Sequence, residues 1–347
     1  MAESQLPQIA ILGSGIFVKT QYIPRLAEIS HLFVLKAIWS RSEESARSAV
    51  ELAKKHFPNV ECKWGDSGLE EIINDASIIG VAVVIAGQTQ VEMSLRLLKG
   101  GKHVLQGIAE AENALMHYNS LSTNMTQKPI WAVAENYRFE PVFTESKKMI
   151  AEIGDMMNVQ VIIEGSMNSS NPYFSSSWRR NFFGGFILDM GVHFVAGLRM
   201  LVGCEVTSVS AMTSHVDMTL PPPDNISALF QLENGCSGVF VMVIVWRVVG
   251  LNGTLQVERG NKDGKHGYSV FLYMADGQTK SFFYPFCGVQ EELKTFLSDI
   301  SLANTKGGEF KAEPRLSFVE GTRDIAVLEA MLESGKREGA LVQVKKL

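Results

Sequence analysis

An acid and a histidine stand four residues apart in this sequence, at Asp189 and His193. Such spacing puts both side chains on one face of a helix that is otherwise apolar. A carboxylate beside an imidazole orients the ring and favours its protonated form, which suits proton transfer to or from a substrate oxygen. A hydrogen-bonded pair in the core has the same spacing. The residues alone therefore leave both roles open.

A glycine turn follows the first apolar run, Gln8 to Leu12, and precedes a helix-like segment. Such a turn brings the backbone close to a pyrophosphate, and the N-terminus of the next helix supplies unpaired N–H groups. We therefore predict a dinucleotide site, with a structural turn as the alternative. The third glycine of the fingerprint is replaced by Val18. The predicted phosphate-binding residues are Gly13, Gly15, Ile16 and Phe17.

The second β-rich run ends at Ser40 and Arg41. An acid at this position would bind the ribose hydroxyls of NAD, whereas a hydroxyl followed by an arginine suits the 2′-phosphate of NADP. We therefore predict NADP(H). There are three alternatives: the protein binds NAD in place of NADP, it binds a nucleotide that takes no part in catalysis, or it binds no nucleotide.

The elements that must position these residues fall into two patterns. Up to residue 130, apolar runs alternate with helix-like segments, which predicts a parallel sheet covered by helices on both sides. From residue 131, a helix at 140–153, a strand at 159–164 and a buried helix at 185–201 precede a series of long β-rich runs. Asn234-Gly235 and Asp276-Gly277 lie between adjacent runs, as hairpins require. We therefore predict a large, mainly antiparallel sheet, closed by helices at 289–302 and 316–334.

Composition and charge exclude several classes of function. The 347 residues include 32 Lys and Arg against 37 Asp and Glu, so no overall positive field attracts nucleic acid or an anionic membrane. The longest apolar stretches, 78–86 and 239–246, are less than half of the roughly 20 residues that span a bilayer. The N-terminus lacks the features of a signal peptide. We expect a cytoplasmic protein with a small-molecule substrate.

The four cysteines, Cys62, Cys204, Cys236 and Cys287, lie far apart. Their spacing matches neither a zinc site nor a redox dithiol. We expect reduced, mostly buried thiols and no bound metal.

Several motifs occur together in the order found in the Gfo/Idh/MocA (glucose-fructose oxidoreductase / inositol dehydrogenase) family, and the chain resembles this family over nearly its whole length. Besides the glycine turn, they are residues 86–90, Gly100 to Leu105, Glu135 to Phe139, Trp178-Arg179 and the segment that contains Asp189 and His193. The chain looks most like plant members. The resemblance implies an α/β fold with a Rossmann dinucleotide-binding domain at 1–130 and a C-terminal α+β domain at 131–347. The open sheet of the second domain would bind substrate on one face and a second subunit on the other, giving a homodimer.

The resemblance also implies roles for individual residues. Asp189 and His193 match the substrate-side acid/base positions of the family, and Tyr137 is a third candidate for catalysis. Ala86, Gln88 and Gln106 join the predicted cofactor contacts. The candidate substrate contacts are Ile108, Arg138, Tyr173, Trp178 and Arg179, whose rings suit stacking and whose arginines suit a carboxylate. A solvated loop is the alternative for these contacts.

One segment departs from the family pattern. Family members carry Glu-Lys-Pro where this chain has Gly107, Ile108 and Ala109. The family lysine assists proton transfer beside the nicotinamide, whereas isoleucine can neither donate a proton nor stabilise an alkoxide.

Two hypotheses about function follow from this departure. The first is an NADP(H)-dependent oxidoreductase of a small hydroxy or carbonyl compound, with His193 as the proton carrier. The second is a redox-neutral cyclase, isomerase, lyase or ligand-binding protein that reuses the inherited site.

Overall fold

The computed structural model describes residues 6–107, 118, 128–162, 173, 185–241, 245–306 and 310–346. Contacts divide the chain into two compact units. The first unit is Met1–Asn136 with Val289–Thr322, and the second unit is Tyr137–Gly288 with Arg323–Leu347. Each unit contains a sheet.

The first unit is built on a six-stranded sheet in which every described pairing is parallel, as predicted. The strand order is β3-β2-β1-β4-β5-β6, so the second and third strands lie on one side of β1 and the later strands lie on its other side. The order of the strands therefore reverses between β1 and β4. Ligands of open α/β sheets bind at the carboxyl ends of the strands beside such a reversal. The strands are β1 (Gln8–Leu12), β2 (Val34–Ser40), β3 (Glu61–Trp64), β4 (Ile78–Val83), β5 (His103–Gln106) and β6 (Trp131–Val133).

Helices connect these strands. A π-helical turn, Val18–Tyr22, leads into the first helix after the glycine turn. The helices are α1 (Ile23–Glu28), α2 (Glu43–Ala53), α3 (Gly65–Asn74) and α4 (Gly87–Lys99). The Ser42 hydroxyl accepts a hydrogen bond from the Ser45 amide, so α2 begins with a side-chain cap.

The segment Val289–Thr322 returns to the first unit. Its helix α7 (Gly288–Lys306) packs on the sheet so closely that a Cβ at Gly80 of β4 would lie 2.7 Å from the Ile300 side chain. The Trp131 and Phe318 rings are also 4.3 Å apart. The predicted domain boundary at residue 130 would place this segment in the second domain, whereas the contacts of the structure place it in the first unit. The reason is that these apolar side chains cover the first sheet although they lie late in the sequence.

The second unit contains a nine-stranded sheet of order β14-β13-β12-β11-β7-β10-β9-β8-β15. It is mainly antiparallel, as predicted, but β7 and β10 pair in parallel. Its strands are β7 (Met156–Ile162), β8 (Val206–Ser214), β9 (Asn225–Leu232), β10 (Ser237–Val241), β11 (Val245–Gly250), β12 (Gly253–Lys262), β13 (Lys265–Met274), β14 (Thr279–Pro285) and β15 (Val342–Gln343).

The apolar stretch at 239–246 is not one strand. Its two ends belong to β10 and β11, which pair with opposite edges of β7. The strand β7 enters the sheet between them and supplies the hydrogen bonds of both. The predicted hairpins at Asn234-Gly235 and Asp276-Gly277 are confirmed, with Gly235 and Gly277 at φ of 84° and 87°.

Three helices complete the second unit: α5 (Pro141–Ile150), α6 (Gly185–Val202) and α8 (Phe318–Lys336), the last from Arg323 onward. Its core contains a cluster of aromatic rings, in which Phe143 and Trp246 lie 5.1 Å apart and edge to face. Within the described ranges, no helix of either unit combines the length and the apolar character needed to cross a membrane.

Candidate functional site

The glycine turn is fixed by its first glycine. Gly13 has a φ of 128°, and a Cβ at this position would lie 2.1 Å from the Val84 carbonyl oxygen. Its amide donates a hydrogen bond of 2.8 Å to the Trp39 carbonyl. The turn is therefore clamped between two neighbouring strand ends, and only glycine fits there.

The second glycine lies beside free space. Apart from its chain neighbours, no described residue has an atom within 4 Å of a Cβ built at Gly15, and Gly15 is exposed. The side chains of Ile16 and Phe17 are 37% and 36% exposed, whereas Val18 is fully buried. The chain thus presents an open backbone at the start of a helical segment, where an anionic phosphate is favoured.

The end of β2 lies beside this turn. The Ser14 hydroxyl donates a hydrogen bond of 2.9 Å to the Ser40 hydroxyl. Arg41, the next residue, is exposed. Hydroxyl groups and a guanidinium therefore occupy the position where an acid would bind the ribose of NAD.

Two buried amides lie near the carboxyl ends of β4 and β5. Gln106 is fully buried, Gln90 is 9% exposed, and the Oε1 atom of each accepts no hydrogen bond from the residues that the structure describes. The Nε2 of Gln106 donates to the Gly107 carbonyl, and that of Gln90 donates to the Ile85 carbonyl. Unpaired buried acceptors are costly, so both oxygens suit a donor from a ligand. Sequence reasoning missed Gln90, although it lies within a motif quoted above.

These features fit a dinucleotide. The open backbone at Gly15, the hydroxyl pair with Arg41 and the unpaired Gln106 acceptor all belong to the carboxyl edge of one parallel sheet, where Rossmann folds bind their nucleotide. Two other predicted contacts lie at the start of α4. There Ala86 is half-buried and Gln88 is exposed.

The second unit brings Tyr137 and His193 together. Their rings are nearly parallel, with centroids 5.2 Å apart and planes 14° apart. The Phe143 ring stacks on Tyr137 as well, at 5.7 Å and 24°. Tyr137 is buried, whereas His193 on α6 is half-buried. Stacking therefore fixes the plane of the Tyr137 ring and leaves part of the imidazole accessible.

A guanidinium binds the Tyr137 hydroxyl. Arg259 of β12 donates a hydrogen bond of 2.7 Å from Nη2 to the Tyr137 Oη. Burial works to lower the pKa of Arg259, but interaction with the oxygens of Tyr137 and Tyr268 outweighs it and raises that pKa. Burial also raises the pKa of Tyr268, the cross-strand partner of Arg259. Sequence reasoning missed both residues, because Arg259 is 122 positions from Tyr137.

Asp189 lies on α6, half-buried and one helical turn before His193, so the predicted shared helix is confirmed. Tyr173 is half-buried. Three predicted substrate contacts, Ile108, Trp178 and Arg179, lie outside the described residues.

Arg138, a predicted substrate contact, takes part in a buried ion pair. Its side chain is 2% exposed and forms an ion pair with Asp324, which is fully buried. Asp324 also binds Arg199, with 2.6 Å between Oδ1 and Nη1. Burial works to lower the pKa of Arg199, but Glu205 and Asp324 outweigh it and raise that pKa. Since its carboxylate partner is internal, Arg138 serves a buried ion-pair network.

Two titratable residues at the start of β5, Lys102 just before the strand and His103 as its first residue, are structural. Lys102 is buried, and its Nζ donates to the carbonyls of Asp75 and Ile78. The Nδ1 of His103 accepts a hydrogen bond from the Ile130 amide. Burial lowers the pKa of His103 to about 4. Both side chains are thus engaged within the first unit.

The cysteine prediction was wrong in one respect. All four thiols are free, but only Cys236 is buried, and the other three are half-buried.

Comparisons with known proteins place the chain in a family. Residues 8–107 match the model of an oxidoreductase family with an NAD-binding Rossmann fold, and residues 143–256 match the Gfo/Idh/MocA C-terminal domain. A fungal relative, dehydrogenase FPY6 of Fusarium mangiferae, is 31% identical over 97% of this chain and 99% of its own length. The likeness to plant members stays a prediction.

Solved structures share the fold. A levoglucosan dehydrogenase in complex with NADH and levoglucosan has a TM-score of 0.74 and 20% identity, over 99% of this chain and 100% of that chain. An inositol dehydrogenase homologue from Azotobacter vinelandii, in complex with NADH and myo-inositol, has a TM-score of 0.76 and 17% identity, over 98% of both chains. The two family models and the fungal relative together show that this chain belongs to the Gfo/Idh/MocA family of NAD(P)-binding oxidoreductases.

Proposed function

We propose that this chain is an NADP(H)-dependent oxidoreductase of a small hydroxy or carbonyl compound. The observation that carries the proposal is the hydrogen bond between the Ser14 and Ser40 hydroxyls, beside the exposed Arg41. It joins the phosphate-binding turn to the position that distinguishes NADP from NAD. A carboxylate there would repel a 2′-phosphate, whereas a guanidinium attracts it with charge-assisted hydrogen bonds.

The first unit would hold the nucleotide. Backbone groups from Gly13 to Phe17 suit the diphosphate, Ser40 and Arg41 suit the 2′-phosphate, and the Gln106 Oε1 suits a hydrogen-bond donor. When bound, NADP supplies or accepts a hydride. The protein must then handle the accompanying proton.

His193 is the proposed proton carrier. Oxidation of an alcohol releases the hydroxyl proton, which passes to the imidazole, and reduction of a carbonyl reverses this transfer. Asp189, one turn earlier on the same helix, would favour the imidazolium that forms. Tyr137 is the proposed hydrogen-bond donor to the substrate oxygen. The Tyr137 hydroxyl oxygen accepts a hydrogen bond from Arg259, because a guanidinium only donates, and this contact orients the hydroxyl group.

Polyols and sugars are the proposed substrate class. The two solved structures described above contain levoglucosan and myo-inositol, which are both cyclic and polyhydroxylated. Neutral hydrogen-bonding groups suit such ligands. The engagement of Arg138 by Asp324 removes one of the positive groups that would favour a substrate carboxylate.

A redox-neutral reaction is the second candidate. It is favoured by the sequence Gln106-Gly107-Ile108-Ala109, which lacks the family lysine. The nearby side chains of Gln90 and Gln106 are neutral amides, which bind ligands but do not transfer protons at ordinary pH. The inherited site would then catalyse a cyclisation, isomerisation or elimination.

One experiment separates the two candidates. The purified protein is examined by native mass spectrometry for bound nucleotide, and then mixed with NADP⁺ or NADPH and a panel of polyols and their carbonyl forms. A change in the near-ultraviolet absorbance of reduced nicotinamide supports the oxidoreductase. Bound nucleotide with substrate conversion but no such change supports the redox-neutral candidate.

We also propose a cytoplasmic homodimer formed through the second sheet. On one face of this sheet, Leu229 of β9 and Met212 of β8 are 62% and 61% exposed. Exposed apolar side chains on a broad sheet face favour association with another subunit. Sedimentation velocity should show a dimer that Leu229→Glu dissociates and Leu251→Glu does not. Leu251 is similarly exposed, at 60%, but lies in the turn after β11. A monomeric wild type would contradict this.

A further inference from the structure

Trp64 is an exposed aromatic residue at the carboxyl edge of the first sheet. It ends β3, and its backbone lies opposite Ser40 in the register of β2 and β3. Its side chain is 40% exposed, whereas Trp39, Trp131 and Trp246 are each at most 3% exposed. The strand order therefore sets the Ser14–Ser40 hydroxyl pair and this indole side by side on adjacent strand ends.

Local helix chemistry does not explain a tryptophan here. Trp64 is the N-cap residue of α3, and its side chain makes no capping hydrogen bond. Ser, Thr, Asp and Asn are favoured at this position because their oxygens accept from the first free amides of a helix. The indole neither caps the helix nor packs fully into the core. A ligand that covers the ring would account for its placement.

An arginine of α2 lies over the ring. The Arg47 guanidinium lies over the Trp64 ring, 5.8 Å from its centroid. Glu43, one turn earlier on α2, accepts a hydrogen bond of 2.8 Å from the Arg47 Nε. A cation against an aromatic ring is attractive, and a ring held in place loses less freedom when a ligand stacks on it.

We propose that Trp64 is the stacking platform for the adenine base of the nucleotide. This inference rests on the proposed cofactor site. A 2′-phosphate read by Ser40 and Arg41 belongs to the adenosine ribose, and the base is attached to the adjacent carbon of that ribose. The base therefore lies within a few ångströms of the end of β2, where β3 is the next strand. Purines stack on aromatic side chains with a substantial gain in affinity.

The test compares nucleotide fragments by calorimetry and fluorescence. The ligands are NADPH, adenosine 2′,5′-bisphosphate, and reduced nicotinamide mononucleotide, which lacks the adenosine. Trp64→Ala should weaken binding of the first two about tenfold and leave the third unchanged. Trp64→Phe should recover part of the loss. Adenosine 2′,5′-bisphosphate should also shield wild-type indole fluorescence from quenching by acrylamide.

Phe282→Ala is the matched control, because Phe282 is likewise 40% exposed but lies in the second unit. It should leave all three affinities unchanged. Equal NADPH affinity in Trp64→Ala and wild type, with affinity lost in Arg41→Ala, overturns the Trp64 assignment and keeps the cofactor site. Failure of wild type to bind NADPH contradicts the proposed cofactor and overturns the assignment with it. Melting temperatures of the variants establish that each is folded.

Discussion

The Ser14 hydroxyl donates to the Ser40 hydroxyl across 2.9 Å, which joins the glycine turn to the end of β2. The two residues are 26 positions apart in the sequence. An aspartate at position 40 would place a carboxylate beside the same turn, as NAD-binding sites do. We propose that Ser40 and Arg41 instead bind an additional phosphate at this edge.

The two glycines of the turn should respond differently to alanine. Gly13→Ala should destabilise the fold, because its Cβ would lie 2.1 Å from the Val84 oxygen and its φ is 128°. Gly15→Ala should leave the melting temperature nearly unchanged, because the described part of the chain, its two neighbours aside, has no atom within 4 Å of the added Cβ. NADPH affinity should nevertheless fall at least about tenfold in Gly15→Ala, since the methyl group occupies the space for phosphate.

Thermal unfolding and calorimetric titration check both glycine variants. A Gly15→Ala variant that binds NADPH as tightly as wild type would show that no phosphate lies against this backbone. A stable Gly13→Ala variant would contradict the clamped turn.

Removal of the His193 imidazole should lower turnover by about 10²–10⁴-fold, the usual contribution of a general acid or base. The melting temperature should fall no further than in a matched histidine variant, because both imidazoles are half-buried. His215→Ala is the control. His215 is also half-buried in the second unit, and its Nε2 is 2.9 Å from the Leu220 carbonyl oxygen.

The measurements are steady-state turnover and thermal unfolding of both histidine variants. His215→Ala should cost stability and keep turnover. A His193→Ala variant with full turnover and a large loss of stability would instead assign Asp189 and His193 to the core.

Stability should fall on acidification through His103. Burial lowers the pKa of this imidazole from 6.5 to about 4. Between these values the unfolded chain binds a proton that the folded chain does not. The free energy of unfolding is therefore highest above 6.5 and declines as the pH falls towards 4. Between about pH 7.5 and about pH 5, the protonation of this group lowers the free energy of unfolding by about 2 kcal/mol.

Urea unfolding at several pH values measures this effect. His103→Asn should flatten the decline, because asparagine has an acceptor for the Ile130 amide but does not titrate. His31→Asn, at an exposed histidine, should retain the wild-type decline. Parallel curves for wild type and His103→Asn would show that His103 does not stay neutral in the fold.

Restoring the family motif should increase hydride transfer. The triple variant Gly107→Glu, Ile108→Lys and Ala109→Pro supplies a proton donor with a carboxylate beside it, which offsets the cost of burying an ammonium. We expect a gain of at least about tenfold with common polyols. A Cβ at Gly107 would lie only 3.2 Å from the Gln90 Oε1, so adding Gln90→Ala should increase the gain.

Nicotinamide absorbance in the near ultraviolet measures these rates. Ile108→Met, which stays apolar, should leave them at the wild-type level. If the wild type already transfers hydride rapidly, the missing lysine does not limit this protein, and His193 is the group to study.

The sequence predicts those parts of the molecule that depend on local patterns. Strand β8 and the turns at Gly235 and Gly277 follow from alternation and from residues that tolerate a positive φ. The glycine turn and the shared face of Asp189 and His193 follow from spacing. These features are local, so a single segment contains their cause.

Features made by distant contacts could not be predicted. Arg138 meets Asp324 across 186 positions, and no local pattern marks this pair. The placement of β7 between β10 and β11 is likewise settled by pairing between segments about 80 residues apart. Arg259 reaches Tyr137 through the same sheet. A family resemblance indicates the architecture, but the partner of each buried charge depends on three-dimensional packing.

Calorimetric titration of NADPH and NADH into wild type and Arg41→Ala tests the central claim most directly. The wild type should bind NADPH at least about tenfold more tightly than NADH, because charge-assisted bonds from a guanidinium to phosphate are among the strongest in proteins. Arg41→Ala should lose this preference and keep its NADH affinity. Arg25→Ala, at an arginine that pairs with Glu28 on α1, should behave as wild type. Equal affinity of the wild type for the two cofactors, or no binding of either, would contradict the account.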